Sequence, residues 1–251
     1  LYTVRASETS VALTVQRAGD LSASASVDVA FANGSATSGV DYDGTVQNVV
    51  FGIGDDEETV IVPITPNIYN ASFIVKLVNA STGRTMRNLS VAKVRILGET
   101  GTCNTAGAPF GGGSGTLGTP YLICTLAQLK QVSSNLSNTF KMMADITAEG
   151  TLGALGSLTG NFDGNEYAIY NFTLNVARTR AALFYDAYGA STYVKGVNLL
   201  HFSVTNAGAM TAGLIGLIGN TTTQPIISNN LASGFVSTND DTAGILYGGS
   251  Y

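Results

Sequence analysis

The chain of 251 residues has no tryptophan, one histidine, two cysteines and five prolines, and only 12% of its residues are charged. Each shortage closes off a class of function. His201, Cys103 and Cys124 are too few for a zinc site with the usual nitrogen and sulfur ligands, and no His-Glu-x-x-His stretch occurs. A Ser-His-Asp triad would have its histidine but lacks a nucleophile-elbow motif. Twelve scattered lysines and arginines against seventeen acids leave a net charge of −5, the wrong sign for neutralising phosphates, so no nucleic-acid partner is expected. No run approaches the ~18 consecutive apolar residues of a membrane-spanning helix. The lack of tryptophan removes the largest flat ring on which a sugar can stack.

What remains is 45% hydrophobic and rich in Ser, Thr, Asn and Gly, with thirty glycines. This is too apolar for a disordered linker, and it suits short strands joined by tight turns. A low-lysine composition of this kind fits an exported protein, in which Cys103 and Cys124 would form a disulfide rather than remain two buried thiols. A repeated pattern is still running at Tyr251, so the chain reads as a piece of a longer one, with its targeting information elsewhere.

Two rhythms divide the sequence. Over residues 1–98 apolar residues alternate at period two: Val11, Leu13, Val15; Val27, Val29, Phe31; Val60, Val62, Ile64; Phe73, Val75, Leu77; and Ala92, Val94, Ile96. Turn clusters such as Arg17-Ala18-Gly19-Asp20 and Asn33-Gly34-Ser35 separate them. About seven half-buried strands predict a β-sandwich. Residues 99–120 form a boundary, and the Gly-rich run Gly111 to Pro120 reads as a flexible linker. It lacks the Gly-Lys-Ser/Thr ending of a phosphate loop.

Residues 121–251 begin with the strand Tyr121–Cys124. Thr125 and Gln128 form a capping box, and a helix is predicted to about Asn135 with Leu126, Leu129 and Val132 as its apolar stripe. Phe140 to Ile146 reads as the next strand. The chain then repeats: Leu183, Leu214 and Ile245 are spaced by 31 residues in Gly-Leu-Ile-Gly-like units, and Asn171-Phe172, Asn198-Leu199 and Asn230-Leu231 recur between them. No repeat is long enough to bury its own apolar face, so stacking as coils of a parallel β-helix is the expected solution.

The first rhythm, with Ala6-Ser7-Glu8, then Gly34 to Tyr42 containing Gly39-Val40-Asp41-Tyr42, then Val49-Val50-Phe51 and its acidic turn, resembles the Calx-beta domain over residues 1–97. That resemblance implies an immunoglobulin-like sandwich and calcium held by carboxylates at one end. The matching positions here are Glu8 and Asp41. The stretches that should supply further acids read Thr65-Pro66-Asn67 and Ile68 to Ser72 and contain none, which leaves a degenerate calcium site. The second rhythm, with Gly118-Thr119-Pro120-Tyr121, Ala144-Asp145-Ile146, Phe162-Asp163-Gly164-Asn165 and the Gly-Leu-Ile-Gly units, resembles the GLUG-type β-helix of large secreted bacterial proteins over residues 116–251. It implies a right-handed coil whose N-terminal end is capped by the helix. The fold expected is thus all-β: a sandwich, then a capped right-handed parallel β-helix.

Other candidate groups have plain structural readings. Asp55-Asp56-Glu57-Glu58 is a solvated hairpin turn. Asp163, with Asp145, Glu166 or Asp186 as partner, would give the paired carboxylates of a polysaccharide-cleaving β-helix enzyme, but its Asp-Gly-Asn setting is a turn signature, as is Asp240-Asp241. Most aromatics between Tyr167 and Phe202 fill the core, whereas Tyr185, Tyr188 and Tyr193 stand among small and polar residues as contacts for a glycan or protein. The leading expectation is therefore a non-enzymatic adhesion module of a bacterial cell surface, presenting loops and a sheet face to a surface glycan or protein of another cell, with no cofactor beyond a weak calcium site. A β-helix enzyme and a passive spacer are the alternatives.

Overall fold

The computed structural model describes residues 1–66, 70–83, 85, 90–98, 104–150, 152–219, 224–239 and 243–250. The chain divides into two compact units, Leu1–Thr100 and Gly101–Tyr251, and each has its own apolar cluster. Among the described residues the protein is all-β with one short α-helix and a single 3-10 turn.

The first unit is a sandwich of seven strands: β1 (Tyr2–Arg5), β2 (Ser10–Gln16), β3 (Ala25–Asn33), β4 (Gln47–Phe51), β5 (Glu57–Pro63), β6 (Ala71–Val78) and β7 (Val91–Leu97). One sheet runs β1-β7-β6-β3-β4, with β1 parallel to β7 and the other neighbours antiparallel; β2 and β5 pair separately. The period-two pattern is realised directly. Val11, Leu13 and Val15 of β2 are buried while Ala12, Thr14 and Gln16 face out, and Val60 and Val62 of β5 and Val94 and Ile96 of β7 share the same core. Tyr42 lies in that core, stacked on Phe73 with ring centroids 4.0 Å apart. Its hydroxyl donates to Asn33 Oδ1 at 2.9 Å, so the polar end of the ring is satisfied. Burial raises the Tyr42 phenol above its ordinary pKa.

In the second unit, Gly111 to Pro120 is not a free linker. Gly111 N donates to Leu122 O and Leu122 N donates to Gly112 O, both within 2.9 Å, and the neighbouring Phe110 is buried among Tyr121 and Phe140. The helix α1 (Leu126–Gln131) starts with Thr125 as its N-cap as predicted, Thr125 Oγ1 accepting from Gln128 N, while Gln128 Oε1 reaches back past the cap to accept from Cys124 N. It ends earlier than predicted, tightening into a 3-10 turn over Val132–Ser134, with Leu129 and Val132 buried.

Four parallel ladders follow. The first stacks Tyr121–Ile123, Thr139–Met142, Asn161–Asp163, Tyr193–Lys195 and Ile226–Ser228. The second stacks Ile146–Thr147, Ala168–Tyr170, Asn198–Asn206 and Leu231–Thr238, with Thr173–Val176 beside the far half of Asn198–Asn206. The third holds Arg180–Ala181, Met210–Ala212 and Ala243–Gly244. The fourth holds Gly156–Leu158, Phe184–Ala187, Ile215–Ile218 and Tyr247–Ser250. An aromatic column runs through the core: Phe110 from the preceding segment, Tyr121, Phe140 and Phe162 from the first ladder and Phe184 from the fourth, with successive centroids 4.3–6.3 Å apart.

Three sequence readings shift. The predicted strand Phe140 to Ile146 is two strands, Thr139–Met142 and Ile146–Thr147, because Asp145 turns the chain between ladders and its Oδ1 accepts from Ala168 N at 2.8 Å. Leu246, not Ile245, stacks on Leu214: Leu214 N donates to Leu246 O, and Ile245 is exposed. Asn171 does not occupy the same place as Asn198. Asn198 pairs in register with Ala168 and Leu231, while Asn171 N donates to Leu200 O and Phe172 corresponds to Phe202. The cause is unequal turns: in-register residues Phe140, Phe162, Val194 and Ile227 are 22, 32 and 33 residues apart.

Candidate functional site

The turn that carries Asp41 is closed by its own side chain. Asp41 Oδ2 accepts from Thr37 N at 2.8 Å, and the carboxylate is buried. Asp41 O accepts from Thr65 N, and Thr9 O accepts from Ile64 N, so the segments bearing Asp41 and Glu8 both meet the end of β5. Glu8 is exposed, and its Oε2 accepts from Arg5 N at 3.0 Å. Among the described residues no three His, Cys, Asp or Glu side chains gather as metal ligands. Asn67 and Tyr69 lie outside them. Calcium takes six to eight oxygens with several formal charges. Two carboxylates already holding backbone amides do not fit that demand. The acidic run is exposed at Asp55, Asp56 and Glu57, with Asp55 Oδ2 accepting from Gly52 N at 2.9 Å to close the hairpin.

In the second unit Asp163, Asp145 and Asp186 each make a separate structural contact, and Glu166 is buried. Asp163 Oδ1 accepts from Asn165 N at 2.8 Å, an Asx turn, and its Oδ2 pairs with Lys195 Nζ at 3.4 Å. Asp186 is buried, accepts from Ser157 Oγ at 2.7 Å and pairs with Arg180 at 2.8 Å. Asp145 turns a corner, as described. Asp240 and Asp241 lie outside the described residues. His201 is exposed with a positive φ of 53°, its ring 6.1 Å from that of Tyr170.

The three singled-out tyrosines sit on one run of chain, from the fourth ladder through the connecting loop to the first. Tyr185 and Tyr193 are half-buried; Tyr188 is 38% exposed. Arg178 lies over the Tyr185 ring at 5.7 Å. Lys195 Nζ lies over the Tyr193 ring at 4.8 Å while pairing with Asp163. Burial outweighs the opposing pull of Lys195 and, with the Asp163 charge nearby, leaves the Tyr193 phenol raised above its ordinary pKa. Tyr193 N also donates to Asn161 Oδ1 at 3.0 Å.

Register adds what the sequence reading missed. Phe140, Phe162 and Val194 point inward, so their alternates lie on the other side of the ladder: half-buried Lys141, Asp163 and Lys195 form one column, and half-buried Asn161 and Tyr193, in line with the buried Thr139, its neighbour. Parallel strands lie ~4.8 Å apart, so cation, anion and cation follow one another across the face at that step. The outward face of the first ladder thus offers an aromatic ring, two ammonium groups, a carboxylate and a carboxamide on regular strands. The signal was present in the alternation of Lys141, Asp163 and Lys195 with buried residues, but the unequal spacing hid their adjacency.

Residues 1–100 match the Calx-beta domain. A second similarity is to halomucin of Haloquadratum walsbyi strain DSM 16790 / HBSQ001, 26% identical over 134 residues, which is 48% of this chain and 2% of that protein. The chain therefore spans a small fraction of the curated relative it matches. Among solved structures, the calcium binding domain CBD12 of CALX1.1 is 29% identical, with 38% of this chain and 40% of that one covered and a TM-score of 0.37. The apo-form Calx CBD1 domain gives the same identity and TM-score, covering 88% of its chain. No helix among the described residues is long and apolar enough to cross a membrane.

Proposed function

We propose that the chain is a non-catalytic recognition module of a large bacterial cell-surface protein, in which a Calx-beta unit precedes a right-handed parallel β-helix of GLUG type that presents its outer face to a glycan or protein of another cell. The observation that carries the reading is the outward column of Lys141, Asp163 and Lys195 beside Tyr193, displayed on a ladder whose inner side is a continuous aromatic core. A rigid, polar, aromatic-bearing face binds without reorganising, which limits the entropic cost of association. The match to a short stretch of halomucin supports the placement within a larger extracellular protein. Parallel ladders stacked in register support the coil.

Two further points belong to this reading. Cys103 lies outside the described residues; its disulfide to Cys124 is proposed, supported by Cys124 not being a free thiol. Closing that loop would contribute ~3 kcal/mol in the chain-entropy view. The absence of catalysis is likewise a proposal, supported by the structural partners that Asp145, Asp163 and Asp186 hold. A pure spacer is disfavoured by rungs of unequal length, since interchangeable units need equal ones.

The test is binding of the full chain to a printed glycan array and to intact cells, beside Tyr193→Ala and Lys141→Ala variants with unchanged melting temperature. Binding that both variants lose supports the reading. No retention on either surface, or retention that neither variant alters, sinks it.

A further inference from the structure

Seven Asn-x-Ser/Thr triplets occur in the sequence, at Asn33, Asn70, Asn79, Asn88, Asn135, Asn171 and Asn220. Asn88 and Asn220 open triplets that run outside the described residues. The other five share the same local chemistry and differ in what their carboxamides do. Asn33 Oδ1 accepts from Ser38 N at 2.8 Å and from Tyr42 Oη at 2.9 Å. Asn70 is half-buried, and its Oδ1 accepts from Gly98 N at 2.7 Å. Asn79 Nδ2 donates to Asp28 Oδ2 at 3.0 Å. Asn135 is half-buried, and its Nδ2 donates to Gln131 O at 3.0 Å.

Asn33 and Asn79 are exposed as Asn171 is, and Asn79 also has a positive φ of 52°, but of the five only Asn171, with φ of 56°, has a carboxamide that makes no hydrogen bond to the described residues. Phe172 is fully buried, which anchors the triplet from below, and Thr173 is exposed beside it. The acceptor nitrogen and the hydroxyl that a transferase must read are therefore both outside, on a backbone bend that the fold itself holds. Tyr170, immediately before, and His201, the equivalent residue one rung later, lie alongside with rings 6.1 Å apart and offer a first sugar an aromatic edge.

We infer that Asn171 is an N-glycosylation acceptor, and that the folded chain selects it over the other four described triplets. The co-reactant is a lipid-pyrophosphate-linked oligosaccharide. The bond from the sugar anomeric carbon to the pyrophosphate oxygen breaks, a bond from that carbon to Asn171 Nδ2 forms, the amide nitrogen gives up one proton, and the lipid pyrophosphate leaves. Occupancy in the source cell rests in addition on the export reading above; acceptor competence does not.

The experiment incubates the purified, folded full chain with a single-subunit oligosaccharyltransferase of plain Asn-x-Ser/Thr specificity and its lipid-linked donor, beside the same chain unfolded in a denaturant the enzyme tolerates. Mass spectrometry of proteolytic peptides reads each triplet. In the folded chain, the Asn171 peptide gains one glycan while the Asn33, Asn70, Asn79 and Asn135 peptides keep their mass. Asn171→Gln and Thr173→Ala abolish the gain, and Thr173→Ser retains it. A folded chain that leaves Asn171 bare, carries glycan equally on the other four, or is unmodified in both states overturns the inference.

Discussion

Gln128 shows how one side chain can tie a boundary segment to a domain. It is buried, its Oε1 accepts from Cys124 N at 2.7 Å, and its Nε2 donates to Asn104 O at 3.0 Å and Gly107 O at 2.7 Å. Truncation by Gln128→Ala leaves three backbone groups to find other partners. Because Asn104 is exposed and water replaces part of the loss, the expected destabilisation is about 2 kcal/mol, read as a lower denaturant midpoint for the second unit. A midpoint unchanged from wild type would show that the segment is held by other contacts. Asp28 gives a pH-dependent counterpart in the first unit. Hydrogen bonds from Asn48 and then Asn79 hold its carboxyl below the ordinary value. A depressed folded pKa means that its contribution is present above the ordinary carboxylate pKa and is lost as pH falls through the depressed one. Asp28→Asn is therefore expected to lower stability near neutral pH and to converge with wild type in acid; a constant offset down the whole titration would contradict the assignment.

Among the elements, the ladders depend on close approach between turns. A Cβ at Gly213 would stand 2.4 Å from Phe202 Cζ and 2.5 Å from Ile245 O, whereas at Gly118 it would meet nothing within 4 Å. Gly213→Ala is expected to cost about 1–3 kcal/mol through forced displacement of the Phe202 ring and the adjacent rung, with Gly118→Ala near neutral by comparison. Thermal melts of the two variants check this, and equal melting temperatures would show that the rungs yield freely. These same elements show how far the sequence could be read. The strands of the sandwich were legible because period two is a local property: one face buried, one wet. The N-cap at Thr125 was legible for the same reason, since its hydrogen bond to Gln128 N closes within three residues. The helix end was not: the apolar stripe through Val132 is buried as the pattern implies, yet the backbone tightens there into a 3-10 turn that periodicity does not signal.

For the whole molecule, the two apolar clusters lie within separate units, one spanning Val4 to Ile96 and the other Phe110 to Leu246. Calcium that bound the folded first unit with useful affinity would raise its melting temperature by mass action. Two carboxylates engaged with Thr37 N and Arg5 N predict no such shift with calcium in excess. Calorimetric melts of the full chain with calcium and with chelator check it, and a rise that Glu8→Gln removes would restore the metal site.

The sequence by itself determined the alternation of faces, the helix start and the Asp163 turn, because each follows from chemistry among residues close along the chain, whereas the burial of Tyr42 against Phe73 joins residues remote in sequence. Only the tertiary structure decided which rung lies on which. Asn171 matched Asn198 by eye yet stands over His201, and Ile245 yielded its place to Leu246. Register across a parallel ladder is fixed by backbone hydrogen bonds and by apolar side chains meeting inside, and turns of unequal length hide it from any count of spacing. The outward column of Lys141, Asp163 and Lys195 exists only once that register is set.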